Sequence, residues 1–366
     1  MNKKVNIIIL LVIVAAGLIW FGLNQSNQNK ETEGPLKIGV IAPLTGPAAR
    51  LGEWNLEGIN KAKEEINTEG GINGRLIELI IEDGKCTGSV GINSYKKLRD
   101  LDRVNYIIGP LCLAVRIPVL KIAGEDKVVI ITTGLGHSSD PSIRPYTFNA
   151  LPSVEAVAKR IIEFAVKDLG YKKISLLYSQ DEYGVENEIS IKKLAKEFGL
   201  EIVTVEKHAR GAADLRTQIL KFKNDGSEAI LATTYPADYV VFLKQSLELG
   251  LNKQILAGSV LQAPDVSKMQ AETGQKIYYS YPITKKETPS IYVGSGYDSL
   301  ELLVNALKSC KAEDVRCVEK VLASTDNYQG VNGPITFDIR GNNAAANSIE
   351  IKVLDQGKFL RLEEAK

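Results

Sequence analysis

From residue 36 onward, short apolar runs alternate with longer stretches in which apolar side chains recur every three or four positions. The run LKIGVIA at 36–42 is rich in β-branched residues, and the stretch at 54–68 places apolar side chains along one side of a helix. The strands predicted in this part of the chain are 36–42, 76–82, 104–109 and 128–132. Helices predicted over 90–101 and 113–124 separate the later ones. Buried parallel strands joined by crossover helices have this pattern, so it predicts a doubly wound α/β sheet.

The same pattern starts again near residue 150, with a helix predicted over 153–169. The second set of predicted strands is 173–179, 201–206, 228–234 and 254–259, with helices at 184–198, 213–223 and 237–249. The non-helical segments 146–150 and 277–283 lie between the two sets, so we expect them to cross from one sheet to the other. A helix at 294–308 would return to the first lobe, and the tail 334–366 would supply a third crossing. The expected lobes are 36–148 plus 283–330 and 149–282 plus 331–366.

The first 23 residues differ in composition from the rest of the chain. Lys3 and Lys4 precede an uncharged stretch at 5–23, which is long enough for a helix to span a bilayer core of about 30 Å. The positive flank favours a cytoplasmic N-terminus, so the rest of the chain would lie outside the cell membrane. We expect 1–23 to be an uncleaved membrane anchor, with a cleaved signal segment as the alternative. The polar residues 24–35 are expected to form a flexible tether.

The net charge, the histidine content and the absence of catalytic motifs argue against several classes of function. The 45 Lys and Arg residues nearly match the 44 Asp and Glu residues, which gives a net charge of +1. A nucleic-acid-binding domain usually shows a basic excess. His137 and His208 are the two histidines, so neither a histidine-rich metal site nor a histidine relay is expected. No P-loop, nucleophile elbow or His-Glu-x-x-His motif occurs in the sequence. We therefore expect a protein that is not an enzyme and uses no cofactor, metal or nucleic acid.

The chain contains four cysteines: Cys86, Cys112, Cys310 and Cys317. Their spacing does not match a metal-binding motif. In an exported protein an even number of cysteines favours disulfide bonds, here two, each stabilising by roughly 2–4 kcal/mol. Four buried free thiols are the alternative.

The loops that follow the predicted strands form the expected ligand site. In open parallel sheets, ligands bind beyond the carboxyl ends of the strands, where backbone N–H groups and helix N-termini suit an anion such as a carboxylate. The loops rich in Gly, Ser, Thr or Pro are 43–52, 109–116, 132–140 and 178–184. Tyr183 and Tyr235 follow strands of the second set and are candidates to close over a ligand.

Several segments resemble the leucine/isoleucine/valine-binding proteins, the extracytoplasmic substrate-binding components of ABC importers. They are KIGVIAPLTGPAARLG (37–52), GINKAKEEINTEGGINGR (58–75), VNYIIGPLC (104–112) and DEYGVEN (181–187), and the resemblance extends over 36–360. It implies the type I periplasmic-binding fold, with two lobes, a three-segment hinge and a cleft that closes on a small solute. Closure would present a surface to an ABC permease in the membrane. The resemblance also implies a disulfide between Cys86 and Cys112, whereas Cys310 and Cys317 have no counterpart in the family.

At the ligand site the sequence departs from the family pattern. The predicted ligand-binding residues are Leu51, Trp54, Leu113, Arg116, Thr133, Gly134, Gly136, Tyr183, Tyr235 and Ser259. Members that bind amino acids have polar anchors at the places of Leu113, Gly136 and Ser259, and this chain lacks those anchors. Arg116 and Arg50 are instead candidates to hold a carboxylate. The expected solute is an amino acid or a related compound, with a small carboxylate or amide as the alternative. A ligand-sensing ectodomain that signals to a membrane partner is the alternative function.

Overall fold

The computed structural model describes residues 34–46, 48–136, 145–284, 288, 290–345 and 348–365. The predicted membrane anchor at 1–23, most of the tether and His137 lie outside these residues. No helix in the described ranges combines the length and the apolar composition needed to cross a bilayer.

In the described chain, strands and helices largely alternate from Leu36 to Ala323, and five strands follow one another after that. The strands are β1 Leu36–Ala42, β2 Ile77–Asp83, β3 Tyr106–Ile108, β4 Val129–Thr132, β5 Thr147–Pro152, β6 Lys173–Ser179, β7 Glu201–His208, β8 Ala229–Thr233, β9 Gln254–Ala257, β10 Ile277–Pro282, β11 Tyr328–Gly330, β12 Gly333–Ile335, β13 Asn342–Asn343, β14 Ile349–Asp355 and β15 Lys358–Arg361. The α-helices are α1 Ala49–Thr68, α2 Gly88–Lys96, α3 Leu113–Asp126, α4 Val154–Glu163, α5 Glu182–Phe198, α6 Arg216–Lys223, α7 Pro236–Glu248, α8 Pro264–Thr273, α9 Ile291–Lys308 and α10 Val315–Ala323. Single π-helical turns extend α2 and α4.

The strands form two large sheets. Sheet A has the order β13-β5-β4-β3-β1-β2, and every neighbouring pair in it is parallel. Sheet B has the order β15-β14-β10-β9-β8-β6-β7, in which β14 pairs antiparallel with both β15 and β10 and the other neighbouring pairs are parallel. The predicted α/β class with parallel sheets is therefore confirmed.

Apolar side chains bury both faces of each sheet. On sheet A, α1 and α9 cover one face and α2 and α3 the other, with Ile59 and Leu98 fully buried beneath them. On sheet B, α4 and α5 cover one face, where Ile161 and Ile191 pack against the strands. The cluster on the opposite face continues into the loops of sheet A, so the two layered units meet in a buried apolar contact. Strands covered on both sides need apolar residues at nearly every position, which explains the continuous apolar runs in the sequence.

The chain passes between the two sheets three times. It leaves sheet A after β5 and enters α4, which packs on sheet B. It returns after β10 to α9, which packs on α1, and it crosses again between β13 and β14. Residues 149–152 and 342–343 pair in sheet A, whereas the sequence analysis assigned them to the second lobe. The assignment of the crossings as a hinge and the exact lobe boundaries stay predictions.

Two disulfide bonds are present, as predicted from the cysteine count. Cys86 and Cys112 link the loop after β2 to the start of α3, with Cα atoms 5.3 Å apart. Cys310 and Cys317 link the end of α9 to the first turns of α10, with Cα atoms 5.9 Å apart. The described residues contain no free cysteine.

Candidate functional site

A cavity lies between the carboxyl ends of the strands of the two sheets. Its lining residues are Leu51, Leu111, Cys112, Leu113, Gly134, Leu135, Tyr183, Tyr235, Val260 and Tyr292. The first six follow β1, β3 and β4 of sheet A, and the next three follow β6, β8 and β9 of sheet B. Tyr292 lies in the first turn of α9, just after the second crossing between the sheets. Both layered units therefore contribute to one cavity.

The cavity wall is apolar apart from tyrosine hydroxyls and backbone groups. Tyr183 and Tyr235 form an aromatic pair on the sheet B side, with ring centroids 5.5 Å apart. Asp181 caps α5, since its carboxylate accepts a hydrogen bond from the backbone N–H of Gly184 at 3.0 Å, and this fixes the turn that carries Tyr183. Burial raises the pKa of Tyr183 and Tyr235 well above the ordinary value, so both hydroxyls are neutral donors at physiological pH.

Arg116 is a buried cation directly behind the sheet A wall. Its residue is 1% exposed, and its Nη1 lies 3.3 Å from the place that a Cβ on Gly134 would occupy. Nη1 reaches Oδ1 of Asn149 at 3.5 Å, while Nε and Nη2 have no hydrogen-bond partner. Burial lowers the pKa of Arg116 to about 10, and the charge of Glu186 acts in the opposite direction. The guanidinium is thus charged at neutral pH, and two of its three nitrogen atoms have no hydrogen-bond partner.

Local structure holds Arg116 in this position. It lies in the first turn of α3, where its backbone N–H donates to the carbonyl of Cys112 at 2.9 Å. The disulfide from Cys112 to Cys86 anchors the start of that helix. Asn149 is oriented in turn by Thr132 and by Asn342, whose Oδ1 accepts from its Nδ2 at 2.6 Å.

Gly134, which has no side chain, allows the backbone of the cavity wall to lie close to the guanidinium of Arg116. A Cβ at this position would lie 2.1 Å from the carbonyl oxygen of Leu111, which is a steric overlap with the backbone. Only glycine therefore fits between the 109–116 loop and β4, and the absence of a side chain keeps the region in front of Arg116 thin.

Thr133 stabilises the backbone behind the cavity wall through hydrogen bonds to α1 and α9. Its hydroxyl donates to Oδ1 of Asn55 at 3.1 Å, and Nδ2 of Asn55 donates to the carbonyl of Tyr292 at 3.2 Å. The hydroxyl of Ser295 donates to the carbonyl of Thr133 at 2.7 Å. These bonds tie β4, α1 and α9 together and fix the backbone from which Tyr292 enters the cavity.

The structure brings half of the predicted site residues together in the cavity wall: Leu51, Leu113, Gly134, Tyr183 and Tyr235. The other predicted residues are Trp54, Arg116, Thr133, Gly136 and Ser259, and they are buried but do not line the cavity. Trp54 packs beneath Arg50, whose guanidinium carbon is 4.9 Å from its ring. Gly136 bridges to Ser153 at the first crossing between the sheets.

Sequence reasoning did not single out Leu111, Cys112, Leu135, Val260 and Tyr292 as lining residues. The first three belong to loops that it had identified, at 109–116 and 132–140. The position of Tyr292 could have indicated its role, because it lies in the first turn of α9, directly after the second crossing between the sheets. Among the described residues, no group of three or more His, Cys, Asp and Glu side chains is placed to hold a metal ion.

We expect Tyr235→Ala to weaken ligand binding about tenfold, because it removes an aromatic wall of the cavity and its hydroxyl donor. Tyr235→Phe is the control, since it keeps the ring and removes the hydroxyl. Isothermal titration with a solute that binds the unmodified chain gives the dissociation constant of both variants. Unchanged affinity in Tyr235→Ala would place the ligand elsewhere.

The sequence profile of a family described as "Periplasmic binding protein" matches residues 35–358, which is most of the chain. The chain belongs to this periplasmic binding protein family. Family members are solute-binding proteins and not enzymes, and the family implies an extracytoplasmic location.

Relatives within the periplasmic binding protein family are similar over nearly their full length. A Pseudomonas aeruginosa protein named "Leucine-, isoleucine-, valine-, threonine-, and alanine-binding protein" is 23% identical, over 84% of this chain and 87% of its own. An "Amino acid binding protein" from the same species is 26% identical, over 89% of this chain and 92% of its own.

Solved structures share the fold of this periplasmic binding protein. The branched-chain amino acid transporter substrate binding protein LivJ from Streptococcus pneumoniae, in complex with isoleucine, has a TM-score of 0.79 and 23% identity, covering 89% of this chain and 97% of that one. An ABC transporter solute binding protein from R. palustris, in complex with benzoate, has a TM-score of 0.78 and 18% identity, covering 90% and 96%. At these identities the likeness concerns the fold, and the two bound solutes differ in chemical class.

Proposed function

We propose that this protein is the solute-binding component of an ABC importer, that it captures a small carboxylate with an apolar body, and that it delivers this solute to a membrane permease. The family and the titles of the similar structures, which name ABC transporter substrate-binding proteins, support the transport role. The three crossings between the sheets would act as the hinge. A ligand favours the closed state only through contacts that are better there, and a cavity lined from both sheets provides them.

The choice of a carboxylate depends on the buried guanidinium of Arg116, which has nitrogen atoms without a hydrogen-bond partner. A buried guanidinium with two nitrogen atoms that have no hydrogen-bond partner is costly unless a ligand completes its hydrogen bonds. A carboxylate matches the planar fork of arginine. The apolar wall of Leu51, Leu113 and Leu135 would then cover the rest of the solute.

A branched-chain amino acid is the second candidate, because relatives in the family carry that name. Its ammonium group would need an acceptor in the cavity. The lining residues of the described chain include no carboxylate side chain, and the nearby Glu186 already acts on the charge of Arg116. These observations favour an organic acid without an ammonium group.

The membrane anchor is proposed from the sequence alone. The uncharged stretch at 5–23 after Lys3 and Lys4 supports it. Fractionation of expressing cells distinguishes the alternatives: an anchored chain stays with the membrane at its full mass, whereas a cleaved signal yields a shorter chain.

Three matched solutes test the ligand class on the full chain purified in detergent: leucine, 4-methylpentanoate, which lacks its amino group, and 4-methylpentanamide. Benzoate and benzamide form a second pair with a flat body. We expect the two carboxylates to stabilise the protein, by about 2.7 kcal/mol at 100 times their dissociation constant, and the amides to have no effect. Thermal unfolding and isothermal titration provide the measurement. Binding of leucine without binding of 4-methylpentanoate would refute the carboxylate proposal and favour the amino acid.

A further inference from the structure

A second arginine, Arg210, packs on Tyr235 of the sheet B side of the cavity wall, although it does not itself line the cavity. It follows β7, and its guanidinium carbon is 4.2 Å from the centre of the Tyr235 ring. Its Nε and Nη2 atoms are buried and have no hydrogen-bond partner. Stacking on an aromatic face satisfies part of the charge but none of these N–H donors.

Within the described ranges, Arg116 and Arg210 are the two arginines that have buried guanidinium nitrogens without partners. Several other arginines in these ranges form ion pairs at the surface, such as Arg216 with Glu248 at 2.7 Å and Arg340 with Asp338 at 3.2 Å. Both exceptions adjoin a tyrosine of the cavity wall, Arg116 by Tyr292 and Arg210 by Tyr235. Their placement on opposite sides of one cavity indicates a shared role.

A buried hydrogen-bond chain holds the loop that carries Arg210. Nε2 of His208 lies 3.0 Å from the hydroxyl of Thr234, which donates to Oδ2 of Asp238 at 3.1 Å. Oδ1 of Asp238 accepts the backbone N–H of Gly211 at 2.8 Å, next to Arg210 in sequence. The loop is therefore tied on both sides of Arg210 to the turn that carries Tyr235.

No carboxylate of the described chain neutralises Arg210 by an ion pair. Burial raises the pKa of Tyr235, the charge of Asp181 and a hydrogen bond to it raise the pKa further, and the charge of Arg210 lowers it. The Oδ1 atom of Asp181 is already used, because it accepts the hydroxyl of Ser179 at 2.9 Å and the N–H of Gly184 at 3.0 Å. The positive charge of Arg210, stacked on a tyrosine of the cavity wall, thus has no ion-pair partner in the described chain.

We propose that Arg210 binds a second anionic group of the solute, so that the preferred ligand is a dicarboxylate held by Arg116 on the sheet A side and by Arg210 on the sheet B side. This inference rests on the proposed carboxylate function and names its substrate class. A dianion that spans the two arginines contacts both units at once, which would couple its binding to closure. The aromatic and leucine side chains of the wall would enclose the carbon skeleton between the two carboxylates.

The test compares straight-chain dicarboxylates of three to eight carbons with monocarboxylates of equal length, for example succinate with butyrate and glutarate with pentanoate. Isothermal titration on the full chain in detergent, at neutral pH and fixed salt, gives each dissociation constant. We expect the best dicarboxylate to bind about 10- to 100-fold more tightly than its monocarboxylate. Arg210→Gln should remove this difference and leave the affinity for the monocarboxylate unchanged, and Arg210→Lys should restore only part of it, because lysine keeps the charge but not the fork.

Arg216→Gln is the matched control, because it removes the same charge from an exposed ion pair of the same unit. It should leave both affinities as in the unmodified chain. Equal binding of dicarboxylates and monocarboxylates, or an equal loss for both in Arg210→Gln, would overturn the dicarboxylate inference while the carboxylate function stands. Failure of every monocarboxylate and dicarboxylate, with binding of amino acids, would overturn both proposals.

Discussion

Replacement of Arg116 by glutamine is expected to weaken carboxylate binding by more than about 100-fold, because two charge-assisted hydrogen bonds are each worth about 1.5–3 kcal/mol. The Nε and Nη2 atoms of Arg116 are buried and have no hydrogen-bond partner, so water would compete weakly with a ligand that reached them. Glutamine cannot present the same planar fork or carry the charge. Isothermal titration with the carboxylates of the screen measures the loss.

The same substitution removes a cation that acts on Glu186, so some loss of stability is expected as well. Arg116→Lys separates the two effects, since it keeps the charge near Glu186 and loses the fork. We expect this variant to fold normally and to bind at least about tenfold more weakly. Circular dichroism and the thermal midpoint report on the fold of each variant.

Arg50→Gln is the control for position. Arg50 was the other arginine that the sequence offered for a carboxylate, but it is exposed, pairs with Glu53 at 2.8 Å and stacks on Trp54. Its removal should leave binding within about twofold, because an exposed ion pair contributes little. A large loss in Arg50→Gln together with normal binding in Arg116→Gln would show that the carboxylate occupies the outer rim of the cavity.

The contrast between Arg50 and Arg116 illustrates what the sequence could predict at this site. Both residues belong to segments that the sequence predicts as loops after strands, and spacing along the chain does not reveal which is buried. Arg116 is buried because α3 begins at Leu113 and turns its first face toward β4 and β5. That distinction depends on packing between elements distant in sequence, which a local pattern does not contain.

The fold was predictable to a greater extent because its signals are local. Strands covered on both faces must be continuously apolar, so β1 and β6 were predicted with their observed bounds. Helices α8 and α10 were not predicted, although each buries two apolar side chains, Val266 and Met269 in α8 and Val318 and Leu322 in α10. The pairing of 342–343 with β5 also escaped prediction, because two residues give no periodic pattern.

The side chains around the cavity also divide into those whose place could be predicted from the sequence and those whose contacts depend on tertiary packing. Tyr183 and Tyr235 were predicted as wall residues from their places after strands, and both line the cavity. Thr133 carries a polar group in a glycine-containing loop, yet its hydroxyl is bonded to Asn55 and faces the contact between α1 and α9. Whether a loop hydroxyl meets a ligand or a neighbouring helix depends on this tertiary contact.

Gly58→Ala is expected to lower the free energy of unfolding by about 3 kcal/mol or more, because it overpacks the tightest contact between α1 and α9. A Cβ at this position would lie 1.9 Å from the carbonyl oxygen of Val293 and 2.9 Å from the backbone nitrogen of Tyr297. Backbone atoms cannot rotate away, so the two helices would have to separate.

Separation of these helices should also change the position of a side chain that lines the ligand site. The bond from Asn55 to the carbonyl of Tyr292 crosses the same helix contact, and Tyr292 lines the cavity. We therefore expect Gly58→Ala to weaken solute binding in addition to lowering the urea midpoint followed by circular dichroism. Glu57→Ala, exposed on the neighbouring position of α1, is the control and should change stability by less than about 0.5 kcal/mol. Normal stability of Gly58→Ala would mean that α1 and α9 do not approach as closely as described, and the placement of Tyr292 in the cavity would then lose its support.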